Sequence, residues 1–119
     1  MTRDLFVEVN GPGTRVRASH QHPCAPRVTT LAIDDFVRDQ SLRSVEFIKM
    51  DIEGAELHAL KGAEETLRKF CPKLAIAVYH EIDDFWTIPK YIDALGLGYR
   101  FYLRHFTIHT EETILFAAR

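Results

Sequence analysis

The residues best placed by type and spacing to carry chemistry fall into two short clusters. Asp51 and Glu53 follow an apolar run, Val45 to Met50, and precede a helical pattern. His80, Glu81, Asp83 and Asp84 follow a second apolar run, Leu74 to Tyr79. A carboxylate accepts a proton, orients a donor or binds a cation, and an imidazole titrates near neutral pH, so the two clusters together suit proton transfer. Parallel sheets gather ligand groups just beyond the carboxyl ends of their strands, and adjacent strands would bring both clusters to one place. Each residue also has a quieter reading. Asp51, Glu53 and Glu56 stand at a helix start, where exposed amides favour negative charge. His80 can act as a base, or be a strand-end histidine held by a backbone carbonyl or by Glu81. Gly54 allows close approach of the backbone.

Farther from the two clusters, the candidates thin out. His105 either lines the same site or packs within a terminal hairpin. Phe85 and Trp86 either cover a substrate or dock their turn on the core. His20, His22 and Cys24 offer three transition-metal ligands, but no matching pair follows, and a closed zinc site needs four. Asp51, Glu53, His80 and Glu81 could take magnesium or manganese, although no recognised spacing supports that, and no metal is assigned. Neither a GxGxxG turn, a phosphate loop nor a GxSxG elbow occurs. Arg3, Arg15, Arg17 and Arg27 are interrupted by acids and read as surface arginines.

Around these residues the pattern predicts an α/β fold. Leu5 to Val9 and Thr14 to Ala18 read as a hairpin about the turn Asn10-Gly11-Pro12-Gly13, with a short strand at Val28 to Thr30. Ile33, Phe36 and Val37 mark a brief helix begun by Asp34 and Asp35. Leu57, Leu60, Ala63, Leu67 and Phe70 recur at spacings of three and four, which predicts one helix up to Pro72. Leu74 to Tyr79 is apolar on both faces, as in a strand covered on both sides. A second helix is expected within Ile88 to Leu95, with Thr87 as N-cap and Pro89 in its first turn. Tyr99 to Leu103 and Thr113 to Ala117 close the chain as two strands. Two strand–helix–strand crossovers imply a mainly parallel sheet with a C-terminal antiparallel hairpin.

A chain of 119 residues, 46% apolar and with a net charge of −2, suits one globular core and offers no broad basic surface for nucleic acid. No run reaches membrane-spanning length, and the first residues lack the form of a secretory signal. With two separated cysteines, Cys24 and Cys71, these features point to a cytoplasmic protein.

The central run Phe47-Ile48-Lys49-Met50-Asp51-Ile52-Glu53-Gly54-Ala55-Glu56, followed by Leu60-Lys61-Gly62-Ala63, closely resembles the signature of the FkbM-type methyltransferases. Thr30 to Asp34 resembles the family's lead-in, and Leu74 to His80 its next strand. Tyr102 to His105 and Glu112 to Ala117 resemble its closing hairpin, so the resemblance covers roughly residues 28–118. It implies an S-adenosylmethionine-dependent O-methyltransferase on a class I doubly wound, Rossmann-like sheet, acting on a small-molecule or glycan hydroxyl. Under it, Asp51, Glu53 and His80 are the catalytic candidates, and Asp51, Ile52 and Gly54 the cofactor-binding ones. Glu81, Trp86 and His105 are the candidates for contact with substrate. Residues 1–27, read as a hairpin or irregular extension, cannot supply the glycine-rich loop and ribose-binding acid of a complete member. The expectation is therefore a C-terminal portion: a fragment, a subunit completed by a partner or by self-association, or a degenerate, non-catalytic relative.

Overall fold

The computed structural model describes residues 3–8, 15–17, 27–109 and 111–119. His20, His22, Cys24 and the turn at residues 10–13 lie outside them. The chain runs β1 (Arg3–Glu8), β2 (Arg15–Arg17), β3 (Arg27–Thr30), α1 (Ile33–Asp39), β4 (Phe47–Met50), α2 (Glu56–Lys61), α3 (Glu64–Phe70), β5 (Lys73–Ala77), α4 (Asp84–Ala94), β6 (Arg100–His105) and β7 (Thr113–Ala118). The first three strands form an antiparallel sheet in the order β2-β1-β3. The other four form a second sheet, β4-β5-β7-β6.

Pairing in this second sheet corrects the expectation of a mainly parallel one. Only β4 and β5 pair in parallel, Ile48 opposite Leu74 and Met50 opposite Ile76. Strand β7 then enters between β5 and β6 and is antiparallel to both. The reason is topological. The crossover through α4 does deliver β6 in the same direction as β5, but the hairpin return, not β6, takes the place beside β5. Paired residues share a face, so Ile48, Met50, Leu74, Ile76, Leu115 and Ala117 lie together, and they form one core with Leu60, Leu67, Ile88 and Ile92 from the helices. On the opposite face Phe47 and Tyr102 remain exposed. Among the described residues no helix is long and apolar enough to cross a membrane.

The single helix expected up to Pro72 is two. Helix α2 ends at Lys61 with Gly62 as its C-cap, and α3 starts at Glu64. Asp34 drives the break from a distance. Its backbone N–H donates to the Gly62 carbonyl at 2.9 Å. Its carboxylate accepts from the Glu65 N–H at 3.0 Å, the Thr66 N–H at 2.8 Å and the Thr66 hydroxyl at 2.6 Å. Asp34 thus caps α3 through space while lying in the first turn of α1, where local reading placed it. Asp34→Ala is expected to destabilise the fold by about 0.5–2 kcal/mol, as for loss of an N-cap. An unchanged urea midpoint would show these contacts to be dispensable.

The second helix also begins earlier than expected. Helix α4 starts at Asp84, so Thr87 is not its cap but lies inside it, donating its hydroxyl to the Asp83 carbonyl at 2.9 Å. Pro89 sits within the helix rather than in its first turn.

Candidate active site

The site is built where β4 and β5 end side by side. Beyond Met50 the chain turns through two consecutive left-handed residues, Glu53 at φ 56° and Gly54 at φ 96°. Such a conformation is natural for glycine and costly for glutamate, and it persists only when the surroundings hold it. Here Glu56 does the holding. Its carboxylate folds back to accept the Ile52 N–H at 2.9 Å and the Gly54 N–H at 2.9 Å. Glu56 is completely buried.

From the end of β5, His80 reaches the same carboxylate, its Nδ1 standing 2.9 Å from Glu56 Oε1. Since that carboxylate already accepts two backbone N–H groups, the hydrogen-bond network assigns a donor N–H to Nδ1 and leaves Nε2 facing outward. The His80 side chain is only 5% exposed, and Nε2 has no hydrogen-bond partner. It faces Asp51 Oδ1 at 3.4 Å and Glu53 Oε2 at 3.5 Å, both on half-exposed carboxylates.

Three neighbours complete the electrostatics. The Tyr79 hydroxyl donates to Asp51 Oδ1 at 3.4 Å. Burial first, and the Asp51 charge second, push its pKa up to about 12, so it stays protonated as a donor. Asp84 is buried and its carboxyl is pushed above the usual range, chiefly by burial and further by the charges of Glu56 and Glu81. It accepts the Glu81 N–H at 3.3 Å, which fixes the turn after His80.

Of the residues singled out from the sequence, Asp51, Glu53 and His80 converge. The Glu81 carboxylate packs over Gly54, its Oε1 3.4 Å from where a Cβ there would stand. Ile52 is part-exposed on the same turn. Trp86 is exposed on α4, and His105 Nδ1 lies 2.8 Å from the Thr113 hydroxyl. No hydrogen bond or ion pair among the described residues joins either to the cluster. The residue whose contact with His80 local reading missed is Glu56. As the first residue of α2 it resembles any acid at a helix start, yet it precedes Leu60 by one turn and so shares that helix's buried stripe. An acid on an apolar stripe was the available signal.

A family model described as the Methyltransferase FkbM domain matches residues 11–101. The chain belongs to the FkbM methyltransferase family. The match starts earlier than the resemblance at residues 28–118 and stops before most of the closing hairpin. This FkbM-family chain is also similar to a solved structure, methyltransferase FkbM from Methylobacillus flagellatus KT, at 38% identity and a TM-score of 0.69. The similarity covers 76% of this chain but 23% of that one, so the chain spans about a quarter of the solved protein's length. No curated protein matches it.

Proposed function

We propose that this FkbM-family chain forms the acceptor side of an S-adenosylmethionine-dependent O-methyltransferase, with residues 28–118 as the methyltransferase-type portion. One observation carries the reading: a buried imidazole, held by Glu56 through Nδ1, turns Nε2 toward two half-exposed carboxylates at the ends of adjacent strands. S-adenosylmethionine, when bound, supplies an activated methyl group on a positively charged sulfur. The residues fit one side of such a group. Asp51 offers an exposed negative charge beside the turn of Ile52 and Gly54, whose backbone geometry Glu56 maintains. The acceptor hydroxyl sits at the outer side of the cluster, where Asp51 and Glu53 orient it. As its oxygen gains the methyl group its O–H bond breaks, and the Asp51–Glu53–His80 cluster receives the proton. The acceptor is a small molecule or glycan bearing a hydroxyl.

Asp51→Asn tests this reading because it removes charge while keeping size and hydrogen-bonding capacity. The experiment titrates S-adenosylmethionine calorimetrically, with the chain alone and joined to a donor-side portion, and follows methyl transfer in the joined protein. Loss of one charged hydrogen bond of about 1.5–3 kcal/mol corresponds to a tenfold to hundredfold drop in donor affinity or turnover. Normal binding and turnover in folded Asp51→Asn protein would reject the assignment, and no donor binding in either form would reject the function.

A further inference from the structure

His80 Nε2, buried and without a hydrogen-bond partner, needs an explanation. A buried polar nitrogen without a partner is costly, and a bound ion, a water or a catalytic role commonly accounts for one. The separations of Nε2, 3.4 Å from Asp51 Oδ1 and 3.5 Å from Glu53 Oε2, exceed the length of a charge-assisted hydrogen bond, about 2.7–2.9 Å, and match another geometry. Metal–ligand bonds of about 2.0–2.2 Å at roughly tetrahedral angles leave neighbouring ligand atoms about 3.4 Å apart. All three candidate ligand atoms lie within 4.8 Å of one another.

We infer that Asp51, Glu53 and His80 Nε2 form a binding site for a divalent cation of the zinc or manganese class. One imidazole and two carboxylates make the mixed nitrogen–oxygen set such ions accept, whereas magnesium and calcium favour oxygen alone. Glu56 completes the arrangement from behind: a ligating histidine commonly donates its other N–H to a carboxylate, which fixes its tautomer and raises its basicity. The two carboxylates balance the ion's charge. With three protein ligands and partly exposed carboxylates, the outer position stays open, as in catalytic rather than structural sites. The ion's role rests on the proposed methyl transfer. With the ion held there, its ligands would no longer serve as the proton acceptor; the ion would instead bind and acidify the acceptor hydroxyl, whose proton would leave to water. The sequence pattern alone assigned no metal here, because no recognised ligand spacing supports one.

The test titrates zinc(II) and manganese(II) separately into the full chain, by calorimetry and, for manganese, by electron paramagnetic resonance. Neither donor nor acceptor is present, so the outcome is independent of whether methyl transfer occurs. One saturable site is expected, with affinity falling at least tenfold in both Asp51→Asn and Glu53→Gln, each shown to be folded by circular dichroism. The comparison with variants matters because His20, His22 and Cys24 can also take zinc. Absence of saturable binding, or binding equal in wild type and both variants, would overturn the site. Methyl transfer would then still stand, with Nε2 itself taking the proton.

Discussion

Glu56→Ala is expected to lower the stability of the chain by about 3–5 kcal/mol, the range for breaking a buried charged network by removing one partner. The carboxylate accepts three donors at once: the Ile52 and Gly54 amides and His80 Nδ1, each at 2.9 Å. Alanine leaves all three without this partner, and the loss is heaviest at His80 Nδ1, since Glu56 and the His80 side chain are both buried. It also releases the turn that keeps Glu53 at φ 56°. Glu56→Gln separates charge from shape. Its amide oxygen can still accept, but its NH2 group must face a donor, so a smaller loss and a changed His80 tautomer are expected. Urea denaturation measures the first and nitrogen-15 NMR of the imidazole the second. A Glu56→Ala midpoint within about 0.5 kcal/mol of wild type, the usual range for surface substitutions, would show that the network does not hold the site together.

The contrast between Glu56 and its neighbours explains how much was legible beforehand. Asp51, Glu53 and His80 could be brought together from the sequence because each follows an apolar run, and β4 and β5 do pair in parallel. Glu56 could not be ranked, because its role depends on a histidine 24 positions away and on a turn that curls back toward it. The two-helix break at Gly62 was hidden for a similar reason. The apolar spacing from Leu57 to Phe70 runs through it, while the capping group, Asp34, comes from another helix. The expectation of a mainly parallel sheet failed through the placing of β7, which leaves β4–β5 as the one parallel pair of the second sheet. Directions follow from crossovers, but the choice of β7 over β6 as partner of β5 is a long-range pairing without a local cue.

Leu60→Ala, one turn beyond Glu56 on the same helix, is expected to cost about 2–5 kcal/mol through lost burial and the cavity left behind. Leu60 has 0% exposure and belongs to the core that joins α2 to β4, β5 and α4. Leu60→Met, which conserves volume better, should cost less than about 1.5 kcal/mol. The two positions share a helix face but act by different physics, and that makes the pair informative. Packing loss at Leu60 removes no hydrogen-bond partner of His80, so the imidazole of the folded fraction should keep Nδ1 protonated toward Glu56. Denaturant midpoints combined with imidazole NMR give both readouts from one preparation. A loss below about 1 kcal/mol would place Leu60 outside the stabilising core. A changed His80 tautomer in folded Leu60→Ala protein would mean that α2 packing, and not the Glu56 carboxylate alone, sets the geometry of the site.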